Sequence, residues 1–175
     1  TIEAVNDAPT IDTASTIQAA ENQTAVATIS VSDVDEDDLT LTLSGTDAGS
    51  LDLSTENVLT FKEAPDFETK SSYSITLSLT DGAETVTKDV TISITNVNDI
   101  APVITSNSAF TADENQTAIG SVVATDADGD DLIFSLGGTN ASSFNISSTG
   151  VMTFKTNPDY ETKSSYEITV SVSDG

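Results

Sequence analysis

The chain has 175 residues and a formal net charge of −24, from 29 acidic residues against five basic ones. Nucleic acids and anionic membrane surfaces are bound through clustered Lys and Arg, so this charge disfavours both and favours cations as partners. Histidine and cysteine are absent, which removes thiol nucleophiles, histidine bases and the preferred ligands of zinc and copper. The remaining oxygen ligands suit calcium and magnesium. No apolar run approaches the roughly 18 residues of a membrane span, so we expect no membrane insertion in this segment.

The sequence contains two copies of one unit. The segment AENQTAVATISVSDVDEDDLTLTL (20–43) matches DENQTAIGSVVATDADGDDLIFSL (113–136). Further on, LTFKEAPDFETKSSYSITLSLTDG (59–82) matches MTFKTNPDYETKSSYEITVSVSDG (152–175). Equivalent residues lie 93 positions apart in both matches, which indicates two tandem domains of similar structure.

In chain order, each copy is predicted to be a series of short β-strands. The stretch DLTLTLS turns Leu39, Leu41 and Leu43 to one face, and SYSITLSLT (72–80) shows the same alternation. Alternation with period two, together with turn residues about every 8–12 positions, is typical of strands in a sandwich. The predicted fold is all-β: two tandem seven-stranded Greek-key, immunoglobulin-like β-sandwiches.

The two copies differ at their ends. After TDG the first copy continues into a last strand (83–99), whereas the second copy stops at Gly175 after SDG. The motif VND, which closes that last strand, recurs at 5–7. We therefore predict that 1–8 is the end of the last strand and linker of a preceding repeat, 9–99 is a repeat, and 100–175 is a repeat lacking its last strand. We expect the second sandwich to have an unpaired edge that Thr1–Val5 of a neighbouring molecule could fill by strand addition.

Acidic residues concentrate at the predicted strand ends. The densest stretch is DADGDDL (126–132). An EF-hand loop needs Gly at position 6 and Glu at position 12 between helices. Counted from Asp126, those positions hold Asp131 and Gly137, and strands flank the loop, so this is no EF-hand. Acids also favour solvated turns, and that interpretation is assigned to Asp37, Asp38, Asp130 and Asp131.

The motifs AENQT, DADGD, PDFE, SDG and NVNDIAP occur in an order that resembles the cadherin repeat, particularly the cadherin-like repeats of large bacterial surface adhesins. The resemblance covers almost the whole chain. It implies Ca²⁺ sites between successive repeats, with Val97 and Ile100 acting through backbone carbonyls and Asn96 in place of the family's first Asp. At the central junction it implies the ligands Glu21, Asp66, Glu68, Asn96, Val97, Asn98, Asp99, Ile100, Asp126, Asp128 and Asp174.

The resemblance also implies half-sites that neighbouring repeats would complete. Those facing a preceding repeat are Asn6, Asp7, Asp33, Asp35 and Asp81, and those facing a following repeat are Glu114, Asp159 and Glu161.

The resemblance implies a calcium-dependent, rigid modular segment of an extracellular or cell-surface adhesin. Two carboxylates about 4 Å apart at an effective dielectric of about 20 repel by roughly 4 kcal/mol, so cations are needed where the acids converge. The expected partners are neighbouring repeats and a homophilic, protein or carbohydrate adhesion partner. The alternative is a carbohydrate- or protein-binding β-sandwich that uses calcium for stability. We expect no enzyme, because no nucleophile–base constellation is present and Asp66 and Glu68 are loop neighbours rather than carboxylates flanking a cleft.

Overall fold

The computed structural model describes residues 5–175. The chain divides into two compact units, Thr1–Val97 and Asn98–Gly175. Residues 1–4 lie outside the described residues. They are the first half of the segment 1–8 that was predicted to end a preceding repeat, and most of the segment Thr1–Val5 that was predicted to donate a strand. Within the described residues, no helix has the length and apolar character needed to cross a membrane.

The first unit is a β-sandwich. Its strands are β1 (Thr10–Ile11), β2 (Thr16–Ala20), β3 (Ala25–Thr28), β4 (Val31–Ser32), β5 (Thr40–Ser44), β6 (Leu51–Leu53), β7 (Val58–Phe61), β8 (Ser72–Thr80) and β9 (Thr85–Thr95). The larger sheet has the order β2-β9-β8-β5 and the smaller sheet has the order β3-β7-β6, with β1 and β4 forming a separate pair. All pairs are antiparallel except β2 with β9, which run parallel.

Two of the seven predicted strands are interrupted. The first is split into β1 and β2 because the chain pairs with β4 and then crosses to β9 in the other sheet. The second is split into β3 and β4 at Ile29, whose amide donates to the carbonyl of Asn57 at 2.8 Å. Counting each split strand once, the sandwich has the seven strands that the sequence predicts.

The core of this unit lies between the two sheets and follows the predicted alternation. On β8, Leu77 and Leu79 are fully buried, and Ile75 is 2% exposed. On β9, Val90 and Ile92 pack in the same cluster. Burial of each such side chain contributes about 1.5–3 kcal/mol, so the β8–β9 ladder supplies much of the stability that holds the surface loops in place.

The second unit repeats this plan. Its strands are β10 (Val103–Ile104), β11 (Ala118–Ser121), β12 (Ala124–Thr125), β13 (Ile133–Gly137), β14 (Phe144–Ile146), β15 (Val151–Phe154) and β16 (Thr169–Ser173). They form the sheets β11-β15-β14 and β13-β16 and the pair β10-β12, and the described residues of this unit contain no counterpart of β9. In the first unit, the leading residues of β8, Ser72–Ile75, pair only with β9, and the equivalent residues 165–168 form no strand.

Gly45, which follows β5, adopts a φ of 104°. A Cβ there would lie 2.9 Å from the amide nitrogen of Thr76 and 3.0 Å from the Cα of Ile75, both backbone atoms of β8. Gly45→Ala is therefore expected to destabilise the first unit by about 2 kcal/mol, through backbone strain and this clash. The measurement is urea unfolding followed by tyrosine fluorescence.

Gly49 is the matched control for that substitution. A Cβ at Gly49 meets no atom within 4 Å and no positive φ is required there. Gly49→Ala should leave the unfolding midpoint nearly unchanged, and equal effects of the two substitutions would contradict the assignment of strain to Gly45.

Candidate metal centre

Glu21 stands directly after β2 and is 3% exposed. Its Oε2 accepts a hydrogen bond from the amide of Phe67 at 2.9 Å, and its Oε1 accepts one from the amide of Val97 at 2.6 Å. The next residue, Asn22, has a φ of 60° and donates its amide to the carbonyl of Pro65 at 3.0 Å. Glu21 therefore ties the β7–β8 loop and the last residue of the first unit to the end of β2.

The β7–β8 loop (62–71), called here the acidic loop, carries Asp66 and Glu68. A carboxylate oxygen of Glu68 lies within 4.8 Å of one of Glu21. Asp66 accepts hydrogen bonds from the Thr69 amide at 3.1 Å and the Thr69 hydroxyl at 2.9 Å. These two bonds lower the pKa of Asp66 from its ordinary value of 3.8, and the bond from the hydroxyl has the larger effect. Asp66 is therefore held ionised by its own loop.

A second group of acids lies between β4 and β5. Asp33, Asp35 and Asp37 each place a carboxylate oxygen within 4.8 Å of the others. Asp33 accepts the amide of Asp35 at 2.8 Å, and Asp35 accepts the amide of Asp7 at 2.7 Å. Partial desolvation and then the charges of Asp33, Asp35 and Asp81 raise the pKa of Asp37. The acids therefore crowd closely enough to raise the pKa of Asp37.

The same arrangement recurs between β12 and β13. Asp126, Asp128 and Asp130 also hold carboxylate oxygens within 4.8 Å of one another. Oδ2 of Asp128 accepts the amides of Asp99 at 3.1 Å and Ile100 at 2.8 Å. Desolvation, followed by the charges of Asp126, Asp128 and Asp174, raises the pKa of Asp130. This loop thus fastens the start of the second unit and gathers further acid around it.

Each of these two clusters contains a buried carboxylate oxygen that has no hydrogen-bond partner among the described residues. Oδ2 of Asp33 and Oδ2 of Asp126 are both buried in this state. A buried carboxylate oxygen without a proton donor or a cation is costly. Clusters made only of carboxylates, with no histidine or cysteine nearby, suit an oxygen-coordinated cation such as Ca²⁺ or Mg²⁺. The residues present therefore fit such an ion.

A third cluster joins Glu114, Asp159 and Glu161, whose carboxylate oxygens lie within 4.8 Å of one another. Glu114 accepts the amide of Tyr160 at 3.0 Å, as Glu21 does for Phe67. In contrast to Glu21, Glu114 is exposed. Glu21 also has Thr95 and Val97 as backbone neighbours.

Within each unit, the structure brings some of the predicted ligands together. In the first unit, Glu21 lies close to Glu68 and Val97; Asp66 belongs to the same loop as Glu68, and Asn96 precedes Val97 along the chain. In the second unit, Asp128 shares a cluster with Asp126 and accepts the amides of Asp99 and Ile100. Asn98 precedes Asp99 along the chain, and Asp174 lies near enough to Asp130 to help raise its pKa.

Two cluster members were assigned to solvated surface by turn composition alone. Asp37 and Asp130 remain exposed, but each shares a cluster with the two predicted ligands before it. The signal that identifies them is a spacing of two, since Asp33, Asp35 and Asp37 alternate, as do Asp126, Asp128 and Asp130.

The sequence profile of the family described as Bacterial Ig domain matches residues 6–95 and again residues 98–175. The chain belongs to the bacterial Ig domain family. Chitinase A of Pseudoalteromonas piscicida is 33% identical over 135 residues, which are 76% of this chain and 16% of that protein. Protocadherin Fat 4 of Mus musculus is 34% identical over 140 residues, 73% of this chain and 3% of that protein. The chain thus spans less than a fifth of the length of either relative.

The two bacterial Ig domains also resemble solved cadherin structures. The crystal structure of human Protocadherin-24 EC1-2 matches with a TM-score of 0.74 and 21% sequence identity, covering 97% of this chain and 94% of that one. At this identity the likeness shows the fold. The predicted architecture, tandem β-sandwiches of cadherin-like type, is confirmed.

Thr69→Val is expected to raise the pKa of Asp66 towards 3.8, because it removes the hydroxyl bond that contributes most to the lowering. The bonds to ionised Asp66 stabilise the folded state fully above pH 3.8. This contribution to the free energy of unfolding is lost as the pH falls through the lower pKa that Asp66 has in the folded state. The measurement is an NMR titration of the side-chain carboxyl carbons in calcium-free buffer.

The second domain offers a matched control, because Thr162 makes the same bonds to Asp159. Thr162→Val should raise the pKa of Asp159 and leave that of Asp66 alone. An unchanged Asp66 titration in Thr69→Val would refute the role given to the hydroxyl.

Proposed function

We propose that this pair of bacterial Ig domains is a calcium-dependent, rigid segment of an extracellular adhesin, with Ca²⁺ bound at the junction between the repeats. The observation that carries the proposal is the buried Oδ2 of Asp126, which lacks a proton donor among the described residues. Its neighbour Asp128 holds the amides of Asp99 and Ile100, so a cation at this cluster would act directly on the chain segment that begins the second domain.

The proposed ligand set follows the resemblance to cadherin repeats. Glu21 and Glu68 support it by lying within 4.8 Å of one another, and Asp126 and Asp128 support it by the same criterion in the second domain. The domain limits proposed are 1–8, 9–99 and 100–175. The full set of proposed ligands is Glu21, Asp66, Glu68, Asn96, Val97, Asn98, Asp99, Ile100, Asp126, Asp128 and Asp174.

The residues of the chain have distinct tasks in this proposal. Glu21 orients the acidic loop and Val97 through its two hydrogen bonds. Asp128 orients Asp99 and Ile100 in the same way. Bound calcium would supply positive charge that offsets the repulsion of the converging carboxylates, each pair of which costs roughly 4 kcal/mol at about 4 Å and an effective dielectric of about 20.

The remaining clusters are proposed as half-sites for neighbouring repeats. The cluster of Asp33 and Asp35, with Asn6, Asp7 and Asp81 beside it, would face a preceding repeat. Asn6 donates its amide group to Asp81 at 3.0 Å, which supports their belonging to one group. The cluster of Glu114, Asp159 and Glu161 would face a following repeat.

We place the segment outside the cell, with a mechanical rather than a catalytic task. Ca²⁺ sites of extracellular modules have dissociation constants of about 10⁻⁴–10⁻³ M, which suits a medium where calcium is plentiful. The partners proposed are neighbouring repeats and an adhesion partner, which is a second copy, another protein or a carbohydrate.

Calcium is expected to raise the melting temperature of the chain. Small-angle scattering should show that the chain becomes more extended when calcium is added.

Asp128→Asn should weaken calcium binding more than tenfold in calorimetry, because a ligand charge at about 4 Å contributes several kcal/mol at an effective dielectric of about 20. The substituted side chain keeps an oxygen that can accept the amides of Asp99 and Ile100.

Asp131→Asn is the control, since it removes the same charge from the same loop but from outside the cluster of three. The proposal fails if neither the melting temperature nor the scattering profile responds to calcium. It also fails if the two substitutions weaken binding equally.

The relationship to Chitinase A favours a second candidate, a carbohydrate-binding module stabilised by calcium. Sugar binding commonly uses exposed aromatic side chains, and Tyr160 is 65% exposed. The rigid-segment proposal gives Tyr160 no part in sugar binding, so it predicts that Tyr160→Ala leaves the retention of the chain on chitin beads unchanged. Calcium-dependent retention that is lost in Tyr160→Ala would favour the second candidate instead.

A further inference from the structure

Asp47 lies just beyond the end of the β5–β8 ladder and links the chain after β5 to the start of β8. It directly precedes the 3₁₀ turn Ala48–Ser50. Its Oδ2 accepts the amide of Ser74 on β8 at 2.7 Å, and its Oδ1 forms an ion pair with the ammonium group of Lys70. The Asp47 side chain is 14% exposed, so this pair is better shielded than a typical surface salt bridge.

Lys70 extends the link to the acidic loop. Its ammonium lies 4.6 Å from the ring centroid of Tyr73, a cation–π contact, and that ring packs edge-on against Phe61 at 4.8 Å. The backbone amide of Lys70 donates to the carbonyl of Asp66 at 2.9 Å. The Lys70 side chain therefore connects the loop that carries Asp66 and Glu68 to both Asp47 and the core aromatics.

The second domain repeats the contacts of Lys70 with its aromatic ring and loop carbonyl, but a neutral residue stands in the place of Asp47. Lys163 lies 4.5 Å from the ring centroid of Tyr166, and its amide donates to the carbonyl of Asp159 at 2.9 Å. Asn140 stands where the first domain has Asp47 and accepts the amide of Glu167 at 2.9 Å. The second domain therefore provides a comparison within the same chain, in which neutral Asn140 replaces the charged Asp47.

We propose that Asp47 and Lys70 are positioning residues that hold the acidic loop in its calcium-binding geometry. This inference rests on the proposed function, and neither residue is among the proposed ligands. A ligand loop that is already ordered loses less conformational freedom on binding, which raises affinity. In the first domain the ion pair between Asp47 and Lys70 helps to order the acidic loop. The second domain has Asn140 in place of Asp47 and so cannot form this ion pair.

If Lys70 affected calcium binding only through its charge, its removal would have the opposite effect on affinity. A cation near calcium ligands opposes calcium binding, so removing the lysine should strengthen binding if it acts only through its charge. If Lys70 positions the loop, its removal should weaken binding. The direction of the effect therefore separates the two roles.

The experiment is a calorimetric titration of the 175-residue chain with CaCl₂. Asp47→Asn and Lys70→Gln should each weaken binding about threefold, in line with a partly exposed ion pair. The double variant should lose no more than either single one, because both remove the same contact. Asp47→Asn keeps an acceptor for Ser74, as Asn140 does for Glu167. Stronger or unchanged binding in Lys70→Gln, or additive losses in the double variant, would overturn the proposal.

Amide hydrogen exchange in calcium-free buffer provides a readout independent of calcium binding. The amide of Thr69 should exchange about threefold faster in both single variants. Conversely, Asn140→Asp should create the ion pair with Lys163 and slow exchange of the Thr162 amide by a similar factor, whereas no change at Thr162 would count against the proposal. If the unsubstituted chain binds no calcium, the proposed function fails, and the exchange rates still show whether the link orders the loop.

Discussion

The organisation of this protein depends on how carboxylate charge is compensated in a chain with a net charge of −24. Most of the acids at the strand ends use backbone amides for this purpose. Glu21 accepts two amides, and Asp128 accepts two more. Each bond brings a backbone donor to a carboxylate oxygen and fixes a loop. The buried Oδ2 atoms of Asp33 and Asp126 have no hydrogen-bond donor among the described residues. A bound cation could compensate their charge instead.

The sandwich supplies the rigid frame on which this compensation depends. The buried β8–β9 ladder places the acidic loop before β8 and the linker after β9 at the end of the domain where Glu21 leaves β2. In the second domain, Glu114 makes the equivalent bond to the amide of Tyr160.

Much of the fold followed from sequence because strand alternation and the internal repeat agree. The inward faces of β8 and β9, the seven-strand plan and the position of Glu21 after β2 were all predictable from period-two patterns. The interruptions of the first two strands were not, since they arise where the chain changes sheets. The membership of Asp37 and Asp130 in the acid clusters was also missed, because turn composition alone does not distinguish a solvated acid from one that faces two others.

By itself, the sequence determined the all-β class, the tandem repeat, the exclusion of soft-metal chemistry and the acids to consider, because these depend on residue type and spacing. Only the tertiary structure decided which carboxylate oxygens are buried, which accept amides, and how Lys70 and Asp47 hold the acidic loop. Asp47 and Asn140 occupy equivalent positions in the two repeats, and nothing in their local sequence marks either as important. Asp47 contacts β8 and the acidic loop, and Asn140 contacts Glu167, only when the sheets have packed.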